Sequence, residues 1–267
     1  MASSSRRKKQ KMRRRRFFTA AAVLLILIAV LLIGILGKGK NKDPKVPQPD
    51  PDPLPVGPTA EELEQQRLEA LRKEEYLILA NKSHPLSADY KPADLVTVSS
   101  IISGVGTKET RQLRKAASDA FEALVKGAAA DGLQIKMRTG FRSYSYQESL
   151  FKSYADKNGE EKANTFSARA GESEHQTGLA LDVSGAGSKW ALTYSFGDTA
   201  EGKWILAHAH EYGFILRYSD GPKDHNSVGP VTKYVYEPWH IRYVGVEHAT
   251  EIWEKGITLE EFLQILD

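Results

Sequence analysis

An α+β fold, with a small, mainly antiparallel sheet and flanking helices, is what the sequence predicts. Three observations carry that reading. Short stretches alternating apolar with polar residues recur in the second half, helical periods and capping signals lie before and after them, and no β-α-β alternation links the two. With 267 residues, 41% of them hydrophobic, the chain can bury one good-sized core, for which about 190 residues remain once the N-terminus is set aside. There is no cysteine, which excludes a disulfide framework and a thiolate metal site. No internal repeat is visible.

The elements follow in order. Residues 1–16 hold nine Lys or Arg and no acid, and residues 17–36 then run twenty positions without a charge. As a helix that span measures about 30 Å, enough for a hydrocarbon core, and the basic flank sets the N-terminus in the cytoplasm. A cleaved signal peptide would have a shorter apolar region and end at an A-x-A-like site. Gly37-Lys-Gly-Lys40 follows instead, so an uncleaved, single-pass signal anchor in the cell membrane is expected, with the rest of the chain outside the cell. The formal net charge of +3 therefore misleads: residues 17–267 carry 28 Lys and Arg against 34 acids, or −6. That mildly acidic part has no footprint for nucleic acid.

Residues 37–58 form a linker, with seven prolines between Asp43 and Pro58. Such a segment is extended and semi-rigid. Thr59-Ala-Glu-Glu62 is a capping box, so residues 59–75 are expected to be helical, either as a stalk or as a helix on the edge of the domain. The domain proper is expected over residues 76–267. Gly106 to Ala130 shows a helical period through Leu113, Ala117, Phe121, Leu124 and Ala128, stopped at Asp131-Gly132. Leu133, Ile135 and Met137 mark a strand running into Gly140-Phe-Arg-Ser143. Ser145-Tyr-Gln-Glu148 reads as a capping box for a helix to about Lys157. Asp198-x-x-Glu201 introduces a helix from Thr199 to Tyr212, stopped by Gly213. Strands are expected over Phe214–Arg217, Val231–Tyr236 and Trp239–Val244, and Thr258-Leu-Glu-Glu261 caps a last short helix.

Two stretches carry the chemistry. In Gly171-Glu-Ser-Glu-His-Gln-Thr-Gly-Leu-Ala-Leu-Asp-Val183, a histidine precedes a glycine turn and a carboxylate follows it on a strand. Leu179, Leu181 and Val183 share one face of that strand, and Ala180 and Asp182 share the other. Far downstream, Glu237-Pro-Trp-His-Ile-Arg-Tyr243 places His240 three residues after Glu237, which Pro238 keeps out of helical geometry. Two histidines and a carboxylate, with a spare glutamate, are the inventory of a catalytic zinc site. Three protein ligands leave one tetrahedral position open, and the spare carboxylate can act on water.

The two stretches resemble the S-x-H-x-x-G-x-A-x-D and E-x-W-H signatures of the D-Ala-D-Ala metallocarboxypeptidases, most of all their VanY/LdcB branch, which trims peptidoglycan stem peptides. The match is unbroken through Ser173, His175, Gly178, Ala180, Asp182, Glu237, Trp239 and His240. A weaker likeness covers most of residues 76–267, including Asn81-Lys-Ser-His-Pro-Leu86 and Gly140-Phe-Arg-Ser-Tyr144. The resemblance implies a hedgehog/D,D-peptidase-like fold and one zinc ion held by His175, Asp182 and His240. It implies Glu237 as general base, and Arg142 as the group that steadies the oxyanion or the peptide's carboxylate. Gln147 and Ser173 are expected to touch substrate, while Trp239 and Tyr243 belong equally to core or cleft.

The implied partner is a peptidoglycan stem peptide and the expected reaction removal of its C-terminal D-alanine, by D,D cleavage of pentapeptides. L,D cleavage of tetrapeptides is the alternative, with a wall endopeptidase or an inactive wall-binding domain as more distant ones. A serine peptidase is a poor rival. Ser149-Leu-Phe-Lys152 fits S-x-x-K, yet neither S-x-N nor Lys-Thr-Gly accompanies it. His208 and His210, two apart on a predicted helix, cannot share a metal. His84, His225 and His248 stand alone as surface or core residues.

Overall fold

Helix α1, Ala60–Leu71, begins where its capping box predicts: Thr59 Oγ1 accepts from the Glu62 amide, and the Glu62 carboxylate accepts from Thr59 N–H. The computed structural model describes residues 57–224 and 227–266, so the basic tail, the expected span over residues 17–36 and nearly all of the linker lie outside the described residues. Among the described residues no helix is long and apolar enough to cross a membrane. Of the two readings left open for the first helix, packing favours the domain edge. Leu68 and Leu71 are buried, Leu71 against Leu77, Ile215, Ile252 and Phe262, and Arg67 pairs with Glu251 at 2.8 Å.

A two-stranded ribbon joins β1, Leu95–Thr97, to β2, Gln112–Arg114. Helix α2 then spans Lys115–Ala130 and ends with Gly132 at φ +80°. The helix expected from Gly106 thus starts later, because Leu113 pairs with Val96 and the Arg114 amide bonds the Gly178 carbonyl. Strand β3, Ile135–Thr139, stands as predicted. Helix α3, Tyr144–Asn158, is capped by Ser143, whose Oγ accepts from Tyr146 N–H; the box expected at Ser145 is displaced by two residues. Helix α4, Glu160–Phe166, was not foreseen.

Strand β4, Ala180–Gly185, is buried along its whole length. Helix α5, Ala200–His208, is capped by Thr199 rather than Asp198, because the Glu201 carboxylate reaches the Gly187 amide instead of closing a box. It tightens to a 3-10 turn over Ala209–Tyr212 before Gly213. Strands β5, Phe214–Leu216, and β6, His240–Tyr243, complete an antiparallel sheet in the order β3-β4-β6-β5. The strand expected over Val231–Tyr236 does not form. The Val231 and Thr232 amides bond the Asp220 carboxylate, and only an isolated bridge links Val228 to Val235. Helices α6, Val246–Lys255, and α7, Leu259–Leu263, close the chain, the latter capped by the predicted Thr258–Glu261 box.

The architecture is α+β, with its sheet packed on α2. Phe121, Leu124, Ile135, Met137, Leu181, Val183, Phe214 and Ile241 form the centre of the core. At about 25 cal/mol per Å² of apolar surface removed from water, these side chains hold the sheet against the helix. Strand β4, paired on both sides and buried on both faces, is the rigid element on which the site is built.

Candidate metal centre

Ladder register makes the first contact. Asp182 on β4 lies directly opposite His240 on β6, and the side chains of such a pair rise on the same face. His240 Nδ1 stands 3.1 Å from Asp182 Oδ1. Glu237 reaches the same place because its carbonyl accepts from the His240 amide at 3.2 Å, closing a turn through Pro238. Its carboxylate lies 4.0 Å from His240 Nδ1.

His175 arrives on a single 3-10 turn, Glu174–Thr177, ended by Gly178 at φ +68°. A left-handed residue there reverses the chain straight into β4, and glycine takes that conformation without steric cost. Its Nδ1 lies 2.7 Å from the Gly140 carbonyl, which can only accept. Nδ1 therefore carries the proton, and the Nε2 lone pair faces Asp182 Oδ1 at 3.5 Å. A β-bulge helps: Met137 and Thr139 oppose Val183 and Asp182 in succession, so the strand turns towards the site at Gly140. A Cβ at Gly140 would lie 2.4 Å from the Gln112 carbonyl, so only glycine fits.

One donor atom from each of His175, Asp182 and His240 lies within 4.8 Å of the others, and all three residues are buried. Tetrahedral zinc with bonds of about 2.0–2.1 Å to nitrogen sets its ligands about 3.3 Å apart, close to the 3.1 and 3.5 Å here. Two imidazoles and a carboxylate that converge in a cavity are a zinc donor set, and they leave a position open.

The charges are strongly coupled. Burial opposes ionisation of Asp182, but His175, His240 and Arg142 hold its pKa well below the usual carboxylate range. Burial and the nearby Arg142 cation push His175 down to about 4. Burial also works against the His240 cation, but the hydrogen bond to Asp182 and the facing Glu174 carboxylate outweigh it and raise His240 to about 9. Glu237 is pushed up to about 8, by burial first and then by Asp182, against the pull of His240 and Arg142.

The other expected residues divide. Arg142 lines the cavity and donates to Asp182 Oδ2 at 2.9 Å. Ser173 lines it too, as do Trp239 and the unforeseen Tyr194, Tyr218 and Tyr234. Gln147 does not line it: buried on α3, it accepts from Arg142 Nη1 at 3.3 Å and donates to the Ala168 carbonyl, so it props Arg142. Tyr243 stands away from the cavity, half-buried against the core and edge-on to Tyr76 and Phe214. The Ser149-x-x-Lys152 pair points away from any site, with Ser149 bonded to the Ser145 carbonyl and Lys152 to Asp156. The remaining described histidines are also accounted for. His84 bonds Asn81, His208 pairs with Glu211, His210 stacks on Trp253, and His248 meets Glu74.

What sequence reasoning missed is the support. Glu174, inside the main motif, is fully buried, and its Oε1 accepts from Arg217 Nε at 2.7 Å and Arg242 Nη1 at 2.8 Å. Arg217 also forks onto Glu260 of α7, at 2.9 and 2.5 Å. Arg242 was the one visible signal, a cation that strand alternation sets on the same face as His240, opposite Ala180.

The sequence model described as "VanY: D-alanyl-D-alanine carboxypeptidase" matches residues 110–246. The Bacillus subtilis (strain 168) protein YodJ is 40% identical over 191 residues, covering 72% of this chain and 68% of its own length. A solved structure of the LdcB LD-carboxypeptidase, reported to explain peptidoglycan recognition, aligns at 40% identity with a TM-score of 0.65, over 72% of this chain and 88% of that one. A mutant of the vancomycin-resistance D,D-pentapeptidase VanY, solved with Zn(II), aligns at 29% identity with a TM-score of 0.57, over 71% of this chain and 99% of that one.

Proposed function

From its membership of the VanY family of D-alanyl-D-alanine carboxypeptidases, to which this chain belongs, we propose that it is a zinc enzyme removing the C-terminal D-alanine from peptidoglycan stem peptides. The observation that carries the proposal is the convergence of His175, Asp182, His240, Glu237 and Arg142 on one cavity. When bound by the first three, zinc supplies a Lewis acid for the scissile carbonyl and the attacking water.

Glu237 does the proton work. Buried and raised to about 8, its carboxylate holds a proton more firmly than a solvated one would. It takes the proton of the attacking water as oxygen bonds the carbonyl carbon, then delivers it to the departing amine as the C–N bond breaks. Arg142, anchored through Asp182 and Gln147, offers its remaining N–H groups to the oxyanion or the terminal carboxylate. Ser173 stands at the cavity wall as a further substrate contact.

Between the two cleavages, the L,D reaction is the better supported, although the motifs are shared by both and D,D cleavage is the family's commoner assignment. Identity to LdcB is 40%, against 29% for the D,D-pentapeptidase. The cavity, about 310 Å³, is also walled beyond the site by Leu150, Tyr154, Phe166, Leu192 and Tyr194. Apolar and aromatic walls suit the methylenes of a diamino acid before the cut better than a lone methyl. The test is to weigh products from tetrapeptide and pentapeptide stems. Loss of one alanine from the tetrapeptide alone is expected; loss from the pentapeptide alone restores the D,D reading, and no alanine from either defeats the carboxypeptidase.

The apolar span over residues 17–36 and its basic flank support a signal anchor that places this domain outside the cell membrane. Protease added to intact protoplasts is expected to release the domain and spare residues 1–16. The reverse pattern would overturn that topology.

A further inference from the structure

Two buried polar atoms next to the site have no hydrogen-bond partner: Glu174 Oε2 and His240 Nε2. They face each other at 3.6 Å. The other ends of both groups are already committed. His240 Nδ1 faces Asp182, and Glu174 Oε1 takes two arginine N–H groups. A buried donor without an acceptor and a buried acceptor without a donor each cost about 1–3 kcal/mol, and a shift of a few tenths of an ångström would satisfy both.

We propose that Glu174 is a positioning residue that accepts the Nε2–H of His240 and so turns the Nδ1 lone pair of that imidazole to the metal. The proposal rests on the zinc reading of the site.

The surroundings make Glu174 a fixed acceptor. Arg217 and Arg242 grip one oxygen and leave the other aimed at His240. Arg242 is itself held by the carbonyls of Tyr76, Ile78 and Tyr243, and Arg217 by both oxygens of Glu260. Glu260 in turn accepts from Asn81 at 3.2 Å. Every charged member of this cluster is at most 2% exposed. None touches the cavity, so none is placed to meet substrate. Charges buried that deeply are costly unless paired, and here the surplus carboxylate oxygen points at a ligand. The two imidazoles are therefore oriented by different partners, His175 by the Gly140 carbonyl and His240 by a carboxylate. Such partners fix which ring nitrogen is free and how basic it is.

The test uses the histidine-labelled, zinc-loaded protein and Glu174→Gln. Nitrogen NMR of the wild type is expected to show His240 protonated at Nε2 and bare at Nδ1. Glu174→Gln keeps the shape but loses the charge. It is expected to weaken zinc about 10–100-fold in competition with a chelator, lowering kcat with KM little changed. A role confined to folding would reduce the folded fraction and leave the zinc affinity of the folded protein as it was; that result overturns the proposal. Should Glu174→Gln not fold, the wild-type tautomer decides alone, and a proton on Nδ1 overturns it. A wild type without stoichiometric zinc would sink the zinc reading and this inference with it. Stoichiometric zinc with the His240 proton on Nδ1 sinks this inference only.

Discussion

His175, Asp182, His240 and Glu237 are all buried around one point, yet burial acts on them in different directions. Neutral His175 loses nothing by it, Asp182 stays ionised because three cationic or hydrogen-bonding groups face it, and Glu237 is driven towards its neutral form. That divergence is what the proposed roles of Asp182 as ligand and Glu237 as base require. A carboxylate locked by Arg142 and two imidazoles is a poor proton acceptor and a good ligand, whereas one raised to about 8 exchanges a proton readily near neutral pH. Substitutions are therefore expected to split into two classes. His175→Ala together with Asp182→Ala should abolish both metal and activity, while Glu237→Ala keeps zinc and loses about 10²–10⁴-fold in turnover. Metal analysis beside steady-state kinetics checks both. Stoichiometric zinc in the double variant would show that the site is wrong, and near-normal turnover in Glu237→Ala would remove Glu237 from the mechanism.

At the level of elements, the pieces carrying the site are those whose signals are local. Strand β4, the turn at Gly178, strand β6 and the Thr258 box were legible because alternation, a glycine and a cap are each written in a few adjacent residues. What escaped depends on distant partners. Leu113 fits a helical period, but Val96 claims it for a ribbon; Val231 to Tyr236 fits a strand, but Asp220 takes the amides that a ladder would need. Glu174 was passed over for the same reason, since its partners Arg217, Arg242 and His240 lie 43 residues or more along the chain. The same network ties helix α7 to the sheet through Glu260. Glu260→Ala would leave Arg217 with a buried, half-paired charge, which costs about 3–5 kcal/mol. Glu251→Ala removes a pair at the surface, with Arg67 and Lys255, worth at most about 1 kcal/mol. Urea unfolding of both variants is the check, and equal losses would mean that the buried network contributes no more than a surface pair.

For the whole molecule, the site's protons make stability depend on pH in a way that metal should reverse. Without metal, folded His240 keeps its proton up to about 9, whereas the unfolded chain releases it near 6.5. Folded Glu237 keeps its own to about 8, against 4.5 unfolded. In both cases the unfolded state binds fewer protons within the interval, so stability falls as pH rises through it. His175 has the opposite sign: its folded value of about 4 lies below 6.5, so its contribution grows with pH between those limits and is complete above them. From 4.5 to 6.5, then, His175 and Glu237 offset each other. From 6.5 to 8, His240 and Glu237 act together, each at up to about 1.4 kcal/mol per pH unit, and from 8 to 9 His240 acts alone. The metal-free domain is accordingly expected to lose stability between pH 6.5 and 9. Zinc binds the deprotonated donors, so its added stabilisation should widen over the same window, with proton release on uptake. Melting curves of chelated and zinc-loaded protein at pH 6, 7, 8 and 9 measure the gap. Glu237→Gln should make the metal-free curve fall less steeply between pH 6.5 and 8, where His240 then acts alone, without closing the gap. A metal-free curve level across the window in the wild type would mean that these groups do not carry the protons assigned to them.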